Sequence, residues 1–171
     1  HISSPFKFTI SESEKNSDPL LVLNQVSIGY SFPVLRDVNM TIRPRDRIGL
    51  LGSNGEGKST LIKSLNGELE LIGGSKTEGR NLNIGYFSQH QIDDLEVYKD
   101  AMSHIQDLDS KVSEQAIRNF LGGFNFHGTK VTTSVDLFSG GEKARLALAK
   151  IVYKKPNLLL MDEPTNHLDI D

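Results

Sequence analysis

Apolar positions along this chain fall into short blocks of changing period. Residues 1–20 are polar, with five serines and Glu12, Glu14, Lys15 and Asp18, and read as a linker or the tail of a preceding segment. Within them Phe6, Phe8 and Ile10 alternate with polar residues, the period of a short docked strand. Strand-like blocks follow at residues 20–28 and 38–42, and residues 47–51 form a short apolar run ending at Gly52. From Lys58 the sequence Lys-Ser-Thr-Leu-Ile-Lys-Ser-Leu-Asn predicts a helix, with Gly67 as its C-terminal stop. Residues 83–87 predict another strand, and the more polar, helix-like stretch 95–121 predicts a separate helical lobe. Ser139 and Glu142 have the spacing of a capping box, so a helix is expected to start there. It carries Ala144, Leu146, Leu148, Ala149, Ile151 and Val152 and stops before Pro156. Residues 158–161 are continuously apolar, as in a strand of a buried parallel sheet. Repeated strand–turn–helix units predict α/β architecture around a parallel sheet, and there is no internal repeat.

Composition narrows this picture without changing it. The 171 residues suit one domain with a real core, and 37% hydrophobic with 24% charged residues is ordinary for a globular chain. A net charge of −3 argues against strong non-specific nucleic-acid binding. There is no cysteine, so disulfides are excluded, which is compatible with the cytoplasmic location expected for the chain. No apolar run approaches the roughly 20 residues that span a bilayer, so no membrane partner is expected.

The chemistry concentrates at two places. Gly52-Ser53-Asn54-Gly55-Glu56-Gly57-Lys58-Ser59-Thr60 fits the phosphate-loop pattern G-x-x-x-x-G-K-[ST]. Its glycines let the backbone curl so that N–H groups face phosphate oxygens, and the following helix adds its positive N-terminal end. Lys58 is expected to reach the outer phosphates and Ser59 to ligate Mg²⁺. A glycine-rich turn can match by chance, but here a strand precedes it and a helix follows. The Glu56 carboxylate must point away from the anion, because it would repel phosphate. The second place is Asp162-Glu163, delivered at the carboxyl end of the apolar strand, where parallel sheets place ligands. Two acids at a strand end would by themselves read as solvated side chains. Beside a phosphate loop, Asp162 reads as a Mg²⁺ holder, and Glu163 as the group that orients or deprotonates the attacking water.

Leu137-Phe138-Ser139-Gly140-Gly141-Glu142 resembles the LSGGQ signature of ATP-binding cassette proteins, with Phe and Glu at its first and last positions. Gln89 matches that family's Q-loop, Tyr30 the aromatic A-loop that stacks on adenine, and Leu168-Asp169 the D-loop. These motifs run in the family's order from Tyr30 to Asp169. The resemblance implies a P-loop NTPase parallel sheet with an antiparallel β subdomain and a helical signature subdomain. It implies ATP and Mg²⁺ as cofactors, with Gln89 joining Ser59 and Asp162 at the metal and joining Lys58 and Glu163 in catalysis. Ser139, Gly140, Gly141 and Glu142 would act on the ATP held by a second cassette. In the family Glu56 often has a small residue in its place. On this resemblance residues 1–19 are the end of an inter-cassette linker. Residues 20–171 are then an incomplete nucleotide-binding domain, with a helical subdomain at about 92–150.

Pro164-Thr165-Asn166-His167-Leu168-Asp169 further resembles the hallmark of the ABC-F group, soluble tandem cassettes that act on the ribosome. Transporter cassettes more often carry Ser-Ala in place of Asn-His, and have an acidic coupling segment before the signature that residues 132–136 do not resemble. The runs 85–90 and 138–145 resemble the second cassette of a bacterial ABC-F protein. The expected function is thus an ATP-hydrolysing cassette of a ribosome-associated translation factor. The alternatives are an ATPase subunit of a membrane transporter and an ATP-gated clamp whose hydrolysis is incidental. The family's switch histidine lies beyond the D-loop and is not His167; His90, His104 and His127 read as structural or surface residues. The strand leading to that switch residue is expected after Asp171, inserted between the strands at 47–51 and 158–161. Residues 1–171 alone are therefore expected to be part of a longer polypeptide and to be partly unfolded or aggregation-prone.

Overall fold

The computed structural model describes residues 17–44, 49–50 and 56–162, which divide into two compact units. One comprises residues 17–86 and 155–162, and the other residues 87–154.

The first unit contains two three-stranded sheets. In the first, β1 (Leu21–Gly29) lies between β2 (Pro33–Ile42) and β4 (Leu71–Glu78), antiparallel to both. Leu21 and Leu23 face the core, the phase then breaks at exposed Asn24 and Gln25, and Val26 and Ile28 face the core again. A bulge causes the break. Its extra residue shifts the pairing against both neighbours after Leu23 and Asn24, and Gln25 takes a φ of 50°. Asn39 Oδ1 accepts from the Gln25 N–H at 2.9 Å, which satisfies a donor that the ladder leaves out. Across from the bulge Gly74 has a φ of 81°, and a Cβ there would stand 2.3 Å from the Gln25 carbonyl oxygen. Only glycine fits that position.

The second sheet has the order β3 (Gly49–Leu50), β6 (Leu158–Asp162), β5 (Ile84–Phe87). β3 and β6 are parallel, with Gly49 opposite Met161 and Leu50 opposite Asp162. Among the described residues these two strands are hydrogen-bonded neighbours; the further strand expected between them would follow Asp171, outside the described residues. Backbone groups that would otherwise lack partners satisfy one another, and each orphan avoided is worth on the order of 1–3 kcal/mol. Two asparagines clamp the other side: Asn157 Oδ1 accepts from the Asn83 N–H at 2.7 Å, and Asn83 Nδ2 donates to the Lys155 carbonyl at 3.1 Å. Helix α1 (Glu56–Leu65) packs Leu61 and Leu65 into a core with Leu21, Val26, Ile28, Leu158 and Leu160. It ends before Gly67, whose φ of 77° is the left-handed stop that its position predicts.

The second unit is helical: α2 (Gln89–Asp93), α3 (Ala101–Leu108), α4 (Glu114–Gly122) and α5 (Gly140–Tyr153). Each begins at a side-chain cap, Ser88, Asp100, Ser113 and Ser139 respectively. Ile105, Ile117, Leu121, Phe126, Val135, Leu146 and Leu148 are fully buried within it. The connection between α4 and α5 is two turns of 3₁₀ helix, Gly128–Thr132 and Val135–Leu137. It is tied to residues 97–100, where the Val135 N–H donates to the Lys99 carbonyl at 3.0 Å and the Asp136 N–H to the Val97 carbonyl at 2.7 Å.

His104 is the one buried imidazole among the described residues. Its Nε2 accepts from the Glu96 N–H at 3.1 Å, so the proton sits on Nδ1 and is donated to the Asp100 carbonyl at 2.7 Å. Burial pushes the imidazole below its ordinary value, with Lys150 adding to that, against the opposing pull of the Asp100 carbonyl, Glu96 and Asp107. A depressed folded-state value means stability present above the unfolded value and lost as pH falls through the folded one. The helical unit should therefore weaken as pH drops below about 6.5. Amide hydrogen exchange in α3 should accelerate between neutral and mildly acidic pH, and His104→Gln should flatten that dependence.

Candidate functional site

The phosphate-loop segment opens α1. Residues 52–55 lie outside the described residues; Glu56, Gly57, Lys58, Ser59 and Thr60 form the first turns of the helix. Thr60 is 1% exposed, which anchors the turn from inside. Gly57 faces β2, where a Cβ would stand 3.2 Å from Leu35 Cδ2. β6 packs against α1, and its last residue, Asp162, is paired with Leu50, two residues before Gly52. The carboxyl ends of β3 and β6 thus lie side by side in one sheet. Glu163 and Asp169 lie outside the described residues.

Tyr30 belongs to the same unit. β1 and β2 are joined by three residues, Tyr30, Ser31 and Phe32, between the paired Gly29 and Pro33. The connection is so tight that a Cβ on Gly29 would stand 2.1 Å from the Phe32 carbonyl oxygen. Both aromatic rings of this tip point outward, Tyr30 being 60% exposed. Lys63 of α1 reaches it, with Nζ 3.4 Å from the Tyr30 hydroxyl and 6.0 Å from the ring centroid. An exposed aromatic face beside the phosphate-loop helix is suited to stacking a base.

The remaining expected residues belong to the helical unit. Gln89 is the first residue of α2, exposed, with Nε2 donating to Asp93 Oδ1 at 3.0 Å. Ser139 caps α5, its Oγ accepting from the Glu142 N–H at 3.1 Å. Glu142 closes the box by accepting from the Ser139 N–H at 2.9 Å through Oε1, and its Oε2 lies 2.8 Å from Lys130 Nζ. Burial pushes the Glu142 carboxyl up, but the Lys130 ammonium and the Ser139 N–H and hydroxyl together hold it below its ordinary value. An ion pair this near the surface stabilises by about 0–1 kcal/mol. Behind the turn the Phe138 ring stacks on Phe126 at 5.6 Å and 18°; Lys130 lies over the Phe138 ring and Arg145 over Phe126, each at 5.4 Å.

Beside this turn a cavity of about 370 Å³ is lined by Gln89, Ile92, Asp93, Val97, Gly140 and Lys143. Two elements of the fold carry weaker signals in the sequence, α2 and β4. α2 carries its own signal, because Ser88 and Gln91 form a capping box. β4 has little, since Leu-Ile-Gly-Gly-Ser-Lys-Thr-Glu has only two apolar positions to set a period.

The family profile described as "ABC transporter" matches residues 35–166. The chain belongs to that family. It is an α/β ATP-binding domain of this kind. Curated relatives include the "Probable ATP-binding protein YheS" of Haemophilus influenzae, 47% identical over all of this chain and 28% of that protein. "Protein GCN20" of Saccharomyces cerevisiae is 37% identical over 96% of the chain and 22% of its own length. "ABC transporter F family member 3" of Arabidopsis thaliana is 37% identical over 92% and 22%. The chain thus spans roughly a quarter of the length of these relatives. Among solved structures, cbiO1 of Clostridium perfringens, titled part of the ABC transporter complex cbiONQ, superposes with a TM-score of 0.73 at 26% identity, covering 90% of this chain and 68% of that one. A putative ABC transporter ATP-binding protein from Pyrococcus furiosus shares the fold, with a TM-score of 0.67 at 19% identity over 88% and 94%.

The tight hairpin tip yields a test. Gly29→Ala should destabilise the chain by about 1–3 kcal/mol, because the backbone must move to admit the methyl group. It should also weaken binding of a fluorescent adenine nucleotide more than a substitution at neighbouring Ser31 does. Equal effects of the two would separate Tyr30 from the nucleotide.

Proposed function

We propose that this chain is the nucleotide-binding cassette of a soluble, cytoplasmic, ABC-F-type protein that binds Mg-ATP, hydrolyses it when paired with a second cassette, and acts on the ribosome. The observation that carries the ATP reading is the parallel pairing of Leu50 with Asp162, which supports a site between the loop sequence that follows the first strand and the acids that end the second. Phosphoryl transfer needs both elements at once. Ser59, Asp162 and Gln89 offer a hydroxyl, a carboxylate and an amide carbonyl, a set of hard oxygen donors that suits Mg²⁺. When bound, the ion would neutralise charge on the phosphates. Backbone N–H groups of residues 52–60 would cradle the phosphates, with Lys58 among them, and Tyr30 would stack on adenine. Glu163 would take up or orient the proton of the attacking water. Ser139, Gly140, Gly141 and Glu142 would present a second helix N-terminus to the ATP held by the partner cassette, and Asp169 would lie at the contact between cassettes.

The ABC-F reading is supported by the Asn166-His167 pair and by the family member named above. No helix of the described residues is long and apolar enough to cross a membrane. The rival reading, a transporter's ATPase subunit, is supported by the cbiO1 likeness. Ribosome cosedimentation of the whole polypeptide, with and without ATP, discriminates between them: ATP-dependent pelleting is expected, and its absence would count for the transporter.

Two substitutions test the chemistry. Lys58→Ala should sharply weaken ATP binding in calorimetric titration, since one desolvated cation faces several phosphate charges. Glu163→Gln should keep Mg-ATP affinity while slowing turnover by about 10²–10⁴-fold, and should trap an ATP-bound, ribosome-associated state. Near-normal turnover would show that another group activates the water.

A further inference from the structure

We propose that Lys130 is a positioning residue for ATP turnover: it neutralises and holds the Glu142 carboxylate, so that the Ser139–Gly140–Gly141 turn can face the phosphates of a paired cassette's ATP. The inference rests on the paired-cassette reading above. It starts from a conflict within the turn. Glu142 fills the last position of the signature, where the family pattern has glutamine. Its Oε1 accepts from the Ser139 N–H at 2.9 Å, so the carboxylate is fastened beside the very cap that would meet a polyanion. A glutamine amide oxygen could make the same contact without charge. A carboxylate adds like-charge repulsion against phosphate.

Lys130 answers that conflict. Its Nζ lies 2.8 Å from Glu142 Oε2, so the second carboxylate oxygen is paired with a cation. The same ammonium lies 5.4 Å from the Phe138 ring centroid, so it touches the residues on both sides of the Ser139–Gly141 turn. Its backbone is fixed too: the Lys130 N–H donates to the His127 carbonyl at 3.1 Å, Arg118 donates to the Gly128 carbonyl at 3.2 Å, and neighbouring Val131 is buried. The ionised state of Glu142 agrees with this pairing.

Steady-state hydrolysis by the whole polypeptide tests the proposal. Lys130→Met should lower kcat about tenfold with the KM for ATP unchanged, because the cassette's own phosphate loop is untouched. Lys130→Arg should retain most of the turnover. In a Glu142→Gln background, Lys130→Met should cost less than about twofold, since there is no charge left to neutralise. A loss of similar size in both backgrounds, or no loss in either, overturns the proposal. So does a fall confined to thermal stability, read from melting curves of the same variants. Gly140→Asp serves as the control for the underlying reading, because it places a charge on the turn itself. If Gly140→Asp leaves turnover intact, the paired-cassette reading fails; if it stops turnover while Lys130→Met does not, only the role of Lys130 fails.

Discussion

A parallel ladder between Leu50 and Asp162 is the constraint on which the site depends. Parallel strands cannot be joined by a tight turn, so the chain must leave one and return to the other by a long route. Here that route runs through α1, β4, β5 and the whole helical unit. Its result is that both strands end at the same edge. In the sequence, a phosphate-loop motif follows the first strand and two acids end the second, so the pairing of the strands is what relates them. The core supports the same geometry, because Leu158 and Leu160 of β6 pack in one cluster with Leu61 and Leu65 of α1. Acids set beside a phosphate site would repel the ligand, which is the electrostatic reason why an oxygen-binding divalent cation belongs between them.

Most of this arrangement was legible in the sequence, and the reasons differ by element. The helix after the phosphate loop was marked at its far end by Gly67, which adopts the left-handed conformation that the stop requires. The helix at Ser139 was marked by reciprocal capping, and both bonds of the box are present. The strand at 158–161 was legible because a strand buried on both faces needs no alternation. β2 proved longer than its apolar block: it begins at Pro33, five residues before the expected start, since its outer residues are held by pairing with β1 rather than by burial. β4 was illegible for the same reason. Its Gly74 serves the bulge of β1, a demand set by a partner strand about fifty positions away and invisible in a local window. The strand order at β3 and β6 could not be read from spacing at all, because it depends on which backbone groups find partners. Of the site residues, Gly57, Thr60, Tyr30, Gln89 and the signature turn could be placed in the fold, while the side-chain chemistry of Lys58, Ser59 and Asp162 rests on sequence pattern and on the position of their backbone.

Local polar contacts organise the helical unit. Four helices open on side-chain caps, each worth typically about 1 kcal/mol. His104 ties the 96–100 segment to α3 through both ring nitrogens, and that segment in turn receives the N–H groups of Val135 and Asp136. The loop that leads into the signature turn is therefore hydrogen-bonded at its base and aromatic at its tip.

That construction bears on how the turn could act. Donors aimed at a developing or bound anion contribute most when they are fixed beforehand, since no reorganisation is then needed as the anion arrives. The exposed ion pair between Lys130 and Glu142 is too weak to fix the turn alone, at about 0–1 kcal/mol. The stacked pair of Phe126 and Phe138 adds about 0.5–1.5 kcal/mol, each cation over those rings about 0.5–1, and the Ser139 cap about 1. Together these amount to a few kcal/mol concentrated on residues 138–142, comparable to the cost of ordering several backbone residues. The turn is thus held in its cap geometry by the chain's own contacts. What a nucleotide meets there depends on the sign and size of the local charge, and so on whether Glu142 carries its counter-ion.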